Sequence, residues 1–149
     1  MLTALYIHVP FCEKICVYCD FHKEMATLSK KTKYIDALIK ELKLNKDSFN
    51  NIETVYIGGG TPSNLPINLL ETLFIAINDV INMDKFVEFT IETNPNDITM
   101  EKAELFHKYN INRVSVGVQT FNESHLTFLG RTHNKKDVVN AVSNLKAAG

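Results

Sequence analysis

Apolar residues recur along this chain in two rhythms. Four short runs are rich in β-branched and aromatic residues: 4–9, 54–57, 86–91 and 113–118. Each has the length and composition of a strand. Between them the spacing changes to that of a helix. Ile35, Leu38, Ile39 and Leu42 fall on one face of a helix predicted over 31–44. Leu69, Leu70, Leu73, Phe74, Ile77, Val80 and Ile81 form a broad apolar stripe, with Pro66 suited to the first helical position. Thr99 reads as the cap of a third helix that buries Ala103, Phe106 and Tyr109. Val138, Val139, Val142 and Leu145 mark a last helix, with Gly149 at its C-cap.

Strand and helix therefore alternate, with short connections. That order predicts an α/β fold in which parallel strands are joined by crossover helices. Polar or glycine-rich residues gather just after each strand, at 12–19, 58–61, 92–94 and 119. In parallel α/β folds, ligands bind at the carboxyl ends of the strands. Four strand ends thus direct chemistry to one rim. About four βα units do not close a barrel, and a parallel strand at the edge leaves backbone groups unpaired. Residues 1–149 are accordingly read as the N-terminal part of a longer core domain. A complete open four-stranded domain is the plainer alternative.

Composition narrows the class. The chain has 149 residues, 45% of them hydrophobic and 22% charged, which is ordinary for a globular domain. A formal net charge of −1 gives no support to a nucleic-acid or anionic-membrane surface. Residues 1–4 carry no basic region or long apolar run, so no signal peptide is read there. The three cysteines, Cys12, Cys16 and Cys19, crowd into eight residues as C-x3-C-x2-C. They cannot all pair as disulfides. Odd, clustered thiols suit a reducing compartment, so the cytoplasm is expected. Soft thiolates at this spacing are what an iron–sulfur cluster or a zinc ion selects. A zinc site would want a fourth ligand, for which His8 and His22 lie near. Three unrelated buried thiols is the bland reading, which the clustering disfavours.

The Cys-x3-Cys-x2-Cys loop after a first strand resembles the signature of the radical S-adenosylmethionine (SAM) superfamily. Residues 6–12 (YIHVPFC), 56–63 (YIGGGTPS), 115–122 (SVGVQTFN) and 129–133 (LGRTH) narrow the likeness. Together they resemble oxygen-independent coproporphyrinogen III oxidases and their HemW-type relatives. The resemblance runs from about Leu5 to the end of the chain. It implies a parallel-stranded partial (βα) barrel. It also implies a [4Fe–4S] cluster on Cys12, Cys16 and Cys19, with SAM on the fourth iron and reductive cleavage of SAM to a 5′-deoxyadenosyl radical.

The same resemblance suggests which residues meet SAM. Tyr6 and Tyr18 match aromatic positions beside the cofactor, although an isolated tyrosine is more often core or rim packing. Gly59, Gly60 and Thr61 match a strip that contacts the methionyl group. No Gly-Lys-Ser/Thr follows, so this is no Walker A loop. On its own, triple glycine reads equally as a tight turn. Glu92 matches a SAM-binding carboxylate, and its plain reading is a rim group capping nearby amides. Gln119 and Arg131 match further SAM-site positions, against the surface-charge reading that suits most arginines. His125 and His133 are expected to be surface or structural. No catalytic residue is singled out.

One departure separates the branches of the resemblance. The oxidases carry a further cysteine two residues after the third, and here Phe21 stands in that position. The Asp20-Phe21 pair resembles the HemW-type branch, which binds heme and passes it to membrane respiratory enzymes. The first function implied is therefore a heme chaperone, with heme as cargo, recipient heme proteins as partners, and a homodimer left open. The alternative is oxidative decarboxylation of coproporphyrinogen III. A zinc-stabilised binding module without redox chemistry is the third reading.

Overall fold

Alternating side chains on the strands build a sheet with one apolar and one polar face. The computed structural model describes residues 3–82 and 87–149. Its main elements in chain order are β1 (Ala4–Val9), α1 (Leu28–Leu44), β2 (Thr54–Gly59), α2 (Ile67–Val80), β3 (Glu88–Thr93), α3 (Met100–Lys108), β4 (Arg113–Val116), α4 (Glu123–Phe128) and α5 (Lys135–Ala148). The strands lie side by side in the order β1-β2-β3-β4, and each neighbouring pair is parallel. This is the α/β arrangement of βα units that the alternation predicts.

Ile7, Val9, Val55, Ile57, Phe89 and Ile91 are buried in one core with the apolar stripes of the helices. Phe74 of α2 sits at its centre. Its ring meets Phe89, Phe106 and Tyr109 at centroid distances of 6.2, 6.1 and 5.8 Å. The opposite sheet face carries Tyr6, His8, Tyr56, Glu92 and Ser115, which are exposed or half-buried. Register aligns them in rows: Tyr6 lies opposite Tyr56, and Glu92 opposite Ser115.

Several boundaries differ from expectation, each for a local reason. α1 starts at Leu28, because the Thr27 hydroxyl accepts from the Lys30 amide and caps the helix earlier. Pro66 is the N-cap of α2 rather than its first helical residue, since its ψ of 148° is extended. β2 continues through Gly59. β3 starts at Glu88 and runs to Thr93, so Glu92 is part of the strand. Phe86, expected to open that strand, lies outside the described residues. β4 stops at Val116. Beyond it the Val118 amide donates to the Val116 carbonyl and the Thr120 amide to the Val118 carbonyl, two tight turns that end the pairing. α4 has no counterpart in the hydrophobic pattern. It is a single short segment capped by the Asn122 side chain, which accepts from the His125 amide. Among the described residues, no helix is long and apolar enough to cross a membrane.

Truncating the central ring tests this core. Phe74→Ala is expected to lower the unfolding free energy by about 3–5 kcal/mol, the usual cost of emptying a buried phenylalanine site. Urea denaturation of the purified protein measures it. A midpoint equal to wild type would show that α2 does not pack on the sheet as described.

Candidate functional site

The cysteine loop is pinched at its base. The Cys12 amide donates to the Glu24 carbonyl at 3.0 Å, and the Glu24 amide to the Pro10 carbonyl at 2.8 Å. Phe11 anchors the pinch from below: it is fully buried, edge-on to Tyr34 at 5.2 Å. Tyr34 in turn donates to the His8 carbonyl at 2.7 Å. Within the loop the Cys19 amide turns back to the Cys16 carbonyl. Lys23 Nζ donates to the carbonyls of Cys19 and Phe21. All three thiols are free and half-buried.

The glycine strip at the end of β2 locks onto this loop. Gly60 N donates to the Val9 carbonyl at 2.9 Å, and Thr61 N to the Phe11 carbonyl at 2.8 Å. A Cβ on Gly60 would lie 2.7 Å from the Pro10 carbonyl, closer than any side chain sits. Gly59 has φ of +121°, a conformation that favours glycine. Gly58 leaves room for Glu92, whose carboxylate would be 2.9 Å from a Cβ there.

Glu92 is held from two sides. Tyr56 Oη donates to it at 2.6 Å and Gly59 N at 3.1 Å. Burial and this carboxylate push the Tyr56 phenol up to about 12, so it stays a neutral donor at physiological pH. Burial also pushes the Cys12 thiol up, against the Thr61 hydroxyl, which donates to Cys12 Sγ at 3.6 Å. Arg131 reaches across from the loop after α4. Its Nη2 donates to Asn94 Oδ1 at 2.5 Å and the Gly117 carbonyl at 2.9 Å. Its Nη1 faces Cys16 Sγ and Tyr18 Oη, each at 3.5 Å. Gln119 has φ of +64°, at the centre of the tight turn that follows β4.

These side chains surround one cavity of about 250 Å³. Cys12, Cys16, Cys19, Tyr18, Gly59, Gly60, Thr61, Glu92, Gln119 and Arg131 all line it. Tyr6 does not. Its hydroxyl pairs with His8 Nδ1 at 3.0 Å and its ring stacks on Tyr56, one residue removed from Glu92. His8 and His22 also lie outside the lining; His8 Nε2 is bonded to the His22 carbonyl. His133 is buried, its Nε2 on the Val118 carbonyl, and His125 is exposed. Tyr56, Asn94 and Lys23 complete the site without having been singled out in sequence. Asn94 had a signal, its place just after a strand-end glutamate.

The donors are soft thiols of the kind that an iron–sulfur cluster or a zinc ion selects. Among the described residues, no three His, Cys, Asp or Glu side chains converge closely enough to hold one metal ion. Three cations, Lys14, Lys23 and Arg131, face one carboxylate around the cavity. That surplus suits buried thiolates and an anionic ligand. Arg131 Nε, buried and without an acceptor, is an unmet donor of the same kind.

Comparison with known proteins agrees with this geometry. The sequence pattern of the radical SAM superfamily matches residues 6–149. The chain belongs to the radical SAM superfamily. It is 42% identical over 147 residues to the heme chaperone HemW of Lactococcus lactis, covering 99% of this chain and 38% of that protein. It is 37% identical over 151 residues to HemW of Bacillus subtilis, covering 99% and 40%. The mitochondrial radical S-adenosyl methionine domain-containing protein 1 of Bos taurus is 30% identical over 143 residues, covering 95% and 32%. The chain therefore spans roughly two fifths or less of these relatives. Among solved structures, the radical SAM enzyme coproporphyrinogen III oxidase (HemN) from Escherichia coli superposes with a TM-score of 0.87 at 26% identity, over 99% of this chain and 35% of that one. The four parallel strands thus match part of a radical SAM barrel.

The two cavity glycines make contrasting predictions. Gly60→Ala would force a methyl into the Pro10 backbone and is expected to cost about 1–3 kcal/mol. Gly117→Ala meets nothing closer than 3.4 Å and is expected to be nearly neutral. Thermal melts of the two variants check this, and equal melting temperatures would refute the close seat of Gly60.

Proposed function

We propose that this chain is the radical SAM portion of a HemW-type heme chaperone. Cys12, Cys16 and Cys19 would hold a [4Fe–4S] cluster, and SAM would occupy the cavity at the carboxyl ends of the strands. The observation that carries this reading is the convergence of three free thiols, the glycine strip, Glu92, Gln119 and Arg131 on one cavity. Bound there, the cluster supplies low-potential one-electron chemistry to SAM. The protein's own part is placement. Thr61 donates to the sulfur of Cys12, which favours its thiolate form, and Arg131 donates to the sulfur of Cys16. Glu92, kept in place by Tyr56 and the Gly59 amide, accepts hydrogen bonds from an ammonium or a ribose hydroxyl. Tyr18 Oη lies beside Arg131, with its ring at the rim for stacking. Tyr6 supports Glu92 from behind through Tyr56.

Heme as cargo is supported by the name of the HemW relatives and by Phe21, which lines the cavity and is 74% exposed. An apolar ring at that lip suits a tetrapyrrole face and cannot act as a thiol. Recipient heme proteins are the partners this reading implies, and free thiols suit a cytoplasmic setting. The second reading is coproporphyrinogen III oxidation. It is favoured by the fit to HemN and opposed by Phe21, at the position where the resemblance to the oxidases would call for a cysteine.

Two measurements test this function on the full-length protein, handled without oxygen. Cys12→Ala, Cys16→Ala and Cys19→Ala are each expected to lose the iron and acid-labile sulfide bound by wild type, because residues 1–149 offer no fourth cysteine at this rim to substitute. Unchanged iron and sulfide in any one of them would remove that residue from the ligand set. In parallel, heme is added and followed by absorbance, and coproporphyrinogen III is incubated with SAM and a reductant. Stoichiometric heme binding without protoporphyrinogen formation is expected. Turnover without heme binding would promote the oxidase reading.

A further inference from the structure

Asn94 lies between two of the thiols without touching either. Its Oδ1 accepts from Arg131 Nη2 at 2.5 Å, and its Nδ2 donates to Thr61 Oγ1 at 3.5 Å. Both partners go on to a cysteine. Thr61 Oγ1 donates to Cys12 Sγ at 3.6 Å, and Arg131 Nη1 to Cys16 Sγ at 3.5 Å. A continuous hydrogen-bonded bridge therefore runs from Cys12 to Cys16 through a single amide. We propose that Asn94 is a positioning residue that holds one hydrogen-bond donor on the sulfur of Cys12 and another on the sulfur of Cys16. This rests on the reading of the thiols as cluster ligands.

The amide is needed in both of its senses. Thr61 has one hydroxyl hydrogen. By donating to the lone pair of Oγ1, Asn94 leaves that hydrogen for the sulfur. Arg131 carries a rigid planar fork, so fixing one arm orients the other. The Asn94 carbonyl oxygen and the Gly117 carbonyl hold Nη2, and Nη1 is left facing Cys16. An aspartate here would keep the second contact, lose the first and add a negative charge beside thiolates.

Asn94 is itself braced from below. Its backbone amide donates to Ser63 Oγ at 3.0 Å. Ser63 is fully buried and donates to Asp97 Oδ2 at 2.7 Å, while Lys102 Nζ donates to the Ser63 carbonyl at 2.5 Å. The bridge is thus fixed to the strand ends rather than to the exposed loop.

Donors on cluster sulfurs stabilise the more negative, reduced state and so raise the reduction potential. Asn94→Ala should therefore move the midpoint potential of the reconstituted cluster to more negative values. Thr61→Val should move it the same way by removing one donor, and Thr61→Ser, which keeps the hydroxyl, should stay near wild type. The measurement is a potentiometric titration followed by electron paramagnetic resonance, without SAM, on full-length protein of matched iron content. A potential of Asn94→Ala equal to wild type would overturn the inference, whatever Thr61→Val does, and leave the cluster reading standing. Wild-type protein that takes up no iron and sulfide would overturn both. If Asn94→Ala does not assemble a cluster, the pair Thr61→Val and Thr61→Ser decides: a negative shift in valine alone supports the bridge, and no difference between the two overturns it.

Discussion

The site depends on one backbone contact, the seat of the glycine strip on the base of the cysteine loop. Two amides, of Gly60 and Thr61, donate to the carbonyls of Val9 and Phe11, with Gly60 packed against the Pro10 carbonyl. A loop of three cysteines has little apolar surface to bury, and Ile15, Val17 and Phe21 point outward. Without an anchor it would pay full conformational entropy for its order. The seat supplies that anchor by extending the β1–β2 ladder two residues past the strands. It also delivers the Thr61 hydroxyl to Cys12 from the same segment.

The second constraint is the open face of the sheet. Parallel sheets are usually covered on both faces. Here the face away from the helices is polar and half-open, and register turns that exposure into a site. Gly58 and Ser115 flank Glu92 on the neighbouring strands, so small residues surround the carboxylate and leave it room. Tyr56, in the preceding row, is close enough to donate to it. The same alternation that buries Ile57 and Ile91 therefore presents Tyr56 and Glu92. One pattern serves the core and the site together.

Much of this was legible in the sequence because periodicity and strand-end chemistry are local. The four strands, the stripe on α2, the Thr99 cap and the gathering of the cysteines, Gly59 to Thr61, Glu92 and Gln119 follow from short segments, whereas Arg131 entered only through the family resemblance. What was not legible depends on contacts between segments distant in the chain. Asn94 looks like a turn residue until Arg131, 37 positions later, is seen to bond it. Gly60 looks like an opening toward a ligand, yet its missing side chain faces Pro10. Tyr6 shares a strand with the site but lies one row behind Glu92, a consequence of register that spacing alone does not give. The short helix α4 carries too few apolar residues to leave a periodic trace.

Charge ties these features together. In its half-buried pocket the Cys12 thiol loses hydration and faces two neighbouring sulfurs, and either effect favours its protonated form. The raised Cys12 thiol reflects both, with burial the larger cause. The chain counters with groups drawn from four separate segments: Thr61 after β2, Lys23 at the close of the cysteine loop, Arg131 after α4, and Asn94, which orients Arg131. None lies within the Cys-x3-Cys-x2-Cys motif itself. The motif supplies the three thiols, but the hydroxyl and the cations set around them are a property of the folded rim. Placing such a motif on an isolated loop would keep the spacing and lose the donors. The parallel sheet therefore shapes the surroundings of the thiols, because its strand ends and the loops beyond them bring the Thr61 hydroxyl to Cys12 and the Arg131 guanidinium to Cys16.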